Sequence, residues 1–177
     1  MKTIIKEIRQ KGFVPEDVRK HCFSNLTILE IRNWLEANGL DRHTPLELTS
    51  TEIAISTPEG LLLQIRACDN NALGMWGGCL ENDETPLEGA IRELYKETGL
   101  KFDPAYWFWV DTYDHTHTYA NQDKAMYTTH RYVILLDYVP TPTLNSESNG
   151  YKLFNSANEI EQVLEDQRGF VLGLISK

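Results

Sequence analysis

GCLENDETPLEGAIRELYKETGL, residues Gly78 to Leu100, divides into a polar loop and an amphipathic helix. Thr85-Pro86-Leu87-Glu88 reads as the helix start: Thr85 caps, Pro86 suits the first helical position, and Glu88 closes a capping box. Leu87, Ala90, Ile91 and Leu94 follow on one apolar stripe, and Gly99 supplies the stop, which predicts a helix from about Pro86 to Thr98. Beside the stripe, Glu93 and Glu97 stand four residues apart and are neighbours on one side of the helix. Two like charges so placed cost a few tenths of a kcal/mol unless a cation lies between them. Mg²⁺ is commonly held by a few carboxylates together with phosphate oxygens and water. Loop, helix and carboxylate pair therefore make a candidate metal-phosphate site.

Position by position, the stretch resembles the Nudix box, the signature G-x5-E-x7-R-E-U-x-E-E-x-G-U of the Nudix hydrolases, with U aliphatic. Gly78 opens it, Glu84 is the glutamate after five residues, Arg92-Glu93-Leu94 supply R-E-U, and Glu97, Gly99 and Leu100 close it. Lys96 stands where the pattern has the first glutamate of its pair. The lead-in Gly74-Met75-Trp76-Gly77-Gly78 is also similar to the family's approach, without the proline often found before the paired glycines.

The resemblance implies an α/β/α sandwich around a mixed sheet, and a Mg²⁺- or Mn²⁺-dependent hydrolase of a nucleoside diphosphate linked to another group. Glu97 would then be a metal ligand and Glu93 a ligand or general base. Arg92 would orient that carboxylate, Gly78 would offer a backbone carbonyl to metal, and Glu84 would shape the loop. Ordinary readings stand beside these. Glu93 and Glu97 can be a solvated face balanced by Arg92 and Lys96; Arg92 can pair with Glu88 one turn earlier; Gly78 can be a turn that no side chain fits. Lys96 reaches either carboxylate and competes there with metal, which predicts weak Mg²⁺ binding before substrate arrives. It also keeps open a Nudix-fold domain that binds a nucleotide metabolite without cleaving it. A third reading, isomerisation of an isoprenyl diphosphate, lacks an assignable Cys and Glu arrangement for protonating an alkene.

Outward from the box, the chain of 177 residues is long enough for one full core and a small appendage. With 41% hydrophobic and 24% charged residues it has an ordinary globular composition. A net charge of -9 argues against a general grip on a nucleic acid polymer, yet admits a small anionic substrate if bound metal supplies positive charge. Cys22, Cys68 and Cys79 match neither a zinc nor a disulfide spacing. Lys6, Glu7 and Arg9 interrupt the first apolar run, so neither a signal peptide nor a membrane span is expected, and the expected location is the cytoplasm.

Residues 1–45 read as a helical extension. Ile4, Ile5 and Ile8 give a short amphipathic turn, and a stronger helix from Leu26 to Leu35 is stopped by Gly39. The segment either covers one edge of the main domain or contributes to a homodimer. Residues 46–177 read as the Nudix-like domain. Thr51–Ser56 and Leu61–Ala67 flank Thr57-Pro58-Glu59-Gly60 as a hairpin. Ala105–Thr112 and Arg131–Tyr138 are further strands, Pro140–Gly150 is a mobile loop, and Ile160, Val163 and Leu164 mark a C-terminal helix that Ser156 can cap and that can continue beyond Gly169. His115 and His117 alternate in a polar stretch and suit substrate contact better than zinc, for which two ligands are too few. Tyr113, Tyr119, Trp107 and Trp109 are candidates for stacking on a base or for packing. Glu147 lies where another carboxylate could join the site, with an exposed loop acid as the simpler reading.

Overall fold

A computed structural model describes residues 33, 36, 37, 39, 46–67, 69–81, 84–118 and 124–175. The expected N-terminal helices lie almost wholly outside these. Of that region, Asn33, Glu36 and Ala37 are helical, and Gly39, at φ +72°, donates its N–H to the Glu36 carbonyl as a helix stop would.

Strand β1 (Leu46–Thr57) is the spine of a seven-stranded mixed sheet. The Pro58-Glu59 turn returns it antiparallel into β2 (Gly60–Arg66), with Ile55 opposite Leu62 and Thr57 opposite Gly60. β7 (Ser148–Phe154) pairs antiparallel along one edge of β2, and on the other edge β2 leaves β1 beyond Leu62 and pairs with β3 (Leu73–Gly74). The vacated edge of β1 is taken by β4 (Trp76–Cys79), antiparallel, with Ile53 opposite Trp76 and Thr51 opposite Gly78. On its other side β1 runs parallel to β6 (Lys124–Leu135), and β5 (Trp107–Thr118) pairs antiparallel with β6 at the outer edge. The later strands start or end several residues away from where apolar composition alone puts them, because polar stretches such as Thr112–Thr118 pair in the ladder despite their side chains.

Alternation along β1 separates two cores. Ile53 and Ile55 join Leu62, Trp76, Tyr132 and Ile134 on one face; Ala54 joins Leu61, Leu63, Met75, Val133 and Phe154 on the other. Helix α1 (Pro86–Thr98) covers the first face with Ala90 and Leu94. Its ends are as the residues predict. Thr85 Oγ1 accepts from Glu88 N–H at 3.3 Å, the Glu88 carboxylate accepts from Thr85 N–H at 2.8 Å, and Gly99 takes φ +67°.

The second face is closed by helix α2 (Arg168–Ile175), later than the sequence suggests. Around Ile160 the chain makes only a 3-10 turn (Ala157–Gln162), and Ser156 contributes no side-chain cap. Leu164 N–H donates to the Leu73 carbonyl at 2.9 Å, so this backbone joins the sheet edge instead of continuing a helix. The late loop also differs from expectation. β7 already begins at Ser148, Pro140 and Pro142 are buried, and Thr143 N–H donates to the Thr98 carbonyl at 2.7 Å, strapping the segment to the end of α1.

Candidate active site

Two glycines let α1 touch the sheet. Gly77 sits at φ +141°, and a Cβ there would lie 2.0 Å from the Thr51 carbonyl oxygen. A Cβ on Gly78 would lie 2.8 Å from the carboxyl carbon of Glu93. Into this cradle α1 delivers Glu93 and Glu97, each only 1% exposed, so the solvated-face reading is wrong for both. They do not join the apolar clusters. Gly77 N–H donates to Glu97 Oε2 at 3.0 Å, and no hydrogen bond from the described residues reaches its other oxygen. Burial, first of all, pushes the Glu97 carboxyl up to about 7. Gly77 N–H and Lys96 oppose the shift, whereas Glu147 and Glu93 add to it.

Arg92 ties the loop to this pair. Its guanidinium meets both oxygens of Glu84, through Nε at 2.5 Å and Nη2 at 2.9 Å, while Nη1 donates to Glu93 Oε1 and Nη2 reaches the Cys79 carbonyl at 3.0 Å. Arg92 therefore pairs with Glu84 and Glu93; Glu88 is engaged in the capping box instead. The Arg92 hydrogen bonds hold Glu84 below the usual carboxylate range, and Glu84 Oε2 also accepts from Glu81 N–H at 2.7 Å, as a loop-shaping residue should. Lys96 Nζ stands 2.5 Å from Glu93 Oε2 and 3.4 Å from Glu147 Oε1. Lys96 is thus the close partner of Oε2, and no hydrogen bond from another described residue reaches that oxygen. Burial works against the ammonium, but the contact with Glu93 and the charges of Glu93, Glu147 and Glu97 together outweigh it and raise the Lys96 pKa.

Thr51, facing Gly78 across the ladder, has a buried Oγ1 that also takes no hydrogen bond. Its position follows from strand register, which no local pattern announces. Glu147 is drawn to the site by the strap: Asn145 Nδ2 donates to the Lys96 carbonyl at 3.3 Å and Asn145 Oδ1 accepts from Glu147 N–H at 2.9 Å.

Do these residues suit a divalent ion? Among the described residues no three His, Cys, Asp or Glu side chains are arranged as a closed metal cage. The site instead offers two buried carboxylates, one Glu97 oxygen without a donor among the described residues, and a cradle open enough for the carboxylates to reach the strand. That donor set fits a hard cation that completes its shell with water and phosphate oxygens.

A cavity of about 320 Å³ opens between the start of β1 and the β5–β6 pair, lined by Thr49, Asp114, His115, Met126, Tyr127 and Thr128 among others. The box loop borders it, because Leu80 N–H donates to the Thr49 carbonyl at 2.9 Å. The His115 ring stacks between Tyr113 and Tyr127, and its buried Nδ1 has no partner. Of the other aromatic candidates, Trp107 packs in the core, Tyr113 bonds to Glu52, and Trp109 is 60% exposed at the sheet edge. Tyr119 and the His117 side chain lie outside the described residues.

A family model described as NUDIX domain matches residues 49–171. A "MutT-like protein" of Streptomyces ambofaciens is 41% identical over 59 residues, which are 33% of this chain and 38% of that protein's own length. The E. coli dihydroneopterin triphosphate pyrophosphohydrolase superposes with a TM-score of 0.61 at 16% identity, covering 72% of this chain and 94% of that one. The NUDIX domain of Shewanella oneidensis NrtR, complexed with ADP ribose, superposes with a TM-score of 0.57 at 19% identity, covering 81% and 94%.

Proposed function

The chain belongs to the Nudix family, and on that basis we propose that it hydrolyses the diphosphate of a nucleoside diphosphate joined to another group. One observation carries the reading: Glu93 and Glu97 are buried against Gly77 and Gly78, with Arg92 locking the box loop onto them. Glu97 and Glu93, with the Gly78 carbonyl, would hold magnesium or manganese. When bound, such an ion neutralises phosphate oxygens and lowers the pKa of water. Within the chain, Gly77 N–H holds one Glu97 oxygen and leaves the other to face the substrate. Arg92, itself fixed by Glu84, keeps Glu93 turned toward the cradle, where it serves as ligand or general base. Water would add to one phosphorus as the bond to the bridging oxygen breaks. That oxygen leaves with the other phosphate, and the proton of the water passes to a carboxylate or to solvent.

The cavity beside Thr49 is well placed for the organic part of the substrate. It begins two residues along β1 from Thr51, roughly 7 Å from the level of Gly78, a distance a diphosphate spans. Among the described residues its lining offers the Thr49 and Thr128 hydroxyls and the Asp114 carboxylate, acceptors for the hydroxyls and N–H groups of an organic moiety, while the stacked rings of Tyr113, His115 and Tyr127 stand on the Glu52 side of the sheet. The reading assigns residues 46–177 to the catalytic domain and residues 1–45 to a helical extension. It places the protein in the cytoplasm, acting on a small molecule as monomer or homodimer, without a nucleic acid polymer or a membrane as partner. No helix among the described residues is long and apolar enough to cross a membrane.

The test is a phosphate-release screen with Mg²⁺ or Mn²⁺ over nucleoside triphosphates, dinucleoside polyphosphates, nucleotide sugars and ADP-ribose. Turnover of at least one, lost in Glu97→Gln, is the expected outcome. A second reading rests on Lys96, which leaves both Glu93 oxygens beside a cation: a domain that binds a nucleotide metabolite without cleaving it. One structural relative is itself a NUDIX domain complexed with ADP ribose. Tight binding with no turnover across the screen would favour it.

A further inference from the structure

Position 96 lies in the last turn of α1, between the two buried carboxylates in sequence and at the mouth of their cradle in space. The Lys96 side chain is 39% exposed, and its ammonium sits 2.5 Å from Glu93 and 3.4 Å from Glu147. Both partners are held in place by other contacts: Arg92 turns Glu93 inward, and the strap that carries Glu147 is fastened to the Lys96 carbonyl itself through Asn145. An ammonium has three N–H donors. Glu93 takes the close contact and Glu147 stands only at ion-pair distance, so donor capacity remains at the mouth of the site.

Charge gives the arrangement its meaning. Glu81, Glu84, Glu93, Glu97 and Glu147 gather around Arg92 and Lys96, a local excess of three negative charges when all are ionised. A glutamate at position 96, which the box pattern would place there, would remove a cation and add an anion. That swing of two charges is the charge of one divalent ion.

We propose that Lys96 is a built-in counter-cation: it spans Glu93 and Glu147 in place of one divalent ion and turns its remaining donor capacity to the substrate's phosphate oxygens. This rests on the hydrolase reading for the identity of the substrate but not for the geometry. Before substrate binds, the chain then recruits its metal at Glu97 and the Gly78 carbonyl while Lys96 holds Glu93, which joins the ligand set when substrate phosphates engage the ammonium. Specificity follows as well. A fixed ammonium favours a phosphate group held at one distance from the cradle and tolerates low free Mg²⁺, where a site relying on several ions would empty.

The test counts Mn²⁺ ions on the full chain, without substrate, by calorimetry and by the loss of the free-ion electron spin resonance signal. Wild type should bind one ion per chain, and Lys96→Glu should bind at least one more. Lys96→Gln, which keeps the side chain's polarity, guards against a misfolded glutamate variant and should shift two affinities in opposite directions. Mn²⁺ should bind about tenfold more tightly, and imidodiphosphate at saturating metal about tenfold more weakly. A merely structural lysine would move both the same way. Two or more ions on substrate-free wild type, an unchanged count in Lys96→Glu, or parallel shifts in Lys96→Gln would each overturn the proposal. The ion count and the phosphate-release screen fail separately: expected counts without turnover would leave Lys96 standing and remove the hydrolase, whereas turnover with unchanged counts would do the reverse.

Discussion

Two buried carboxylate sites stand back to back on β1. Glu52 points to the α2 face, and neighbouring Thr51 faces Gly78 and the cradle of Glu93 and Glu97. Glu52 is 8% exposed and saturated: Tyr113 OH donates at 3.1 Å, Arg131 Nε at 3.1 Å and Gln167 Nε2 at 2.8 Å. Glu52 itself keeps no oxygen unmet, although farther out Asp111 Oδ1, beside Arg131, and His115 Nδ1, stacked on Tyr113, take no hydrogen bond. Gln167 Oε1 accepts from Met75 N–H at 2.8 Å, and the Arg131 guanidinium lies 3.6 Å over the Tyr113 ring. On the other face, Lys96 alone meets Glu93 Oε2, Thr51 Oγ1 takes no hydrogen bond, Glu97 has a single donor, and its carboxyl is pushed toward neutrality. Burial of charge is common to both, so burial alone marks neither as functional. The difference lies at the carboxylates themselves: both oxygens of Glu52 are met, whereas one oxygen of Glu97 has no donor among the described residues. A saturated carboxylate specifies packing, whereas one with an oxygen left over can receive a ligand.

The most demanding test of this contrast is to neutralise one carboxylate on each face. Glu97→Gln should lower kcat by about 10³-fold or more, as expected for loss of a group that acts on the reacting phosphate, while circular dichroism shows the fold intact. Glu52→Gln should leave kcat within a few-fold in the folded protein. If the two effects were interchanged, the open and closed assignments would be reversed.

The second face is more sensitive in stability. Arg131→Met strips Glu52 of its cation and leaves a buried charge uncompensated, which costs about 3–5 kcal/mol. Adding Glu52→Gln should recover much of that loss, because the pair then carries no charge. Urea melts of the single and double variants measure this coupling. Additive losses would mean that Glu52 and Arg131 do not act as a unit.

These faces were unequally legible in the sequence. The box could be read because its parts are local: Thr85 to Glu88 for the cap, Glu93 to Glu97 for one side of a helix, Gly77-Gly78 for a close approach. Even the departure at Lys96 announced itself against the pattern. Glu52, Tyr113, Arg131 and Gln167 converge from four distant segments, and each alone is an ordinary polar residue in or beside a strand. Long-range register decides their meeting, just as it sets Thr51 against Gly78. The same physics explains the misplaced C-terminal helix, where Leu73 offers Leu164 a sheet partner that local periodicity cannot reveal.

A pH titration of the metal-free protein, read as the difference between wild type and Glu97→Gln, probes the open face. The difference cancels His130, whose lowered pKa contributes with the opposite sign in the same window. The Glu97 carboxyl is raised to about 7 from an ordinary 4.5, so between these values the native chain holds a proton that the unfolded chain has released. The Glu97 contribution to stability therefore falls as pH rises from about 4.5 to 7 and is fully lost above that window. The ceiling is on the order of 3 kcal/mol at about 1.4 kcal/mol per pH unit. Glu97→Gln should be the more stable protein at pH 8, match wild type near pH 4.5, and lose this slope. A difference between the two proteins that stays flat across the window would show that Gly77 N–H and Lys96 already compensate the buried charge.

The smallest effect belongs to Glu147, at the rim of the open site. It is 48% exposed and 3.4 Å from Lys96, so solvent screens it and its ion pair contributes roughly 0.2–1 kcal/mol. Glu147→Gln should move the melting temperature very little and weaken Mn²⁺ binding only a few-fold, through lost long-range charge. Because that charge is exposed, raising the ionic strength to roughly 0.5 M should erase the difference from wild type. The consequences of Glu97→Gln should survive the salt, since a buried group is screened far less. Measuring Mn²⁺ affinity of both variants at low and high salt separates the two kinds of carboxylate. A hundredfold loss in Glu147→Gln that persists in salt would make Glu147 a direct ligand. The open site would then include the late strap, and the boundary between rim and cradle would move from Lys96 to Asn145.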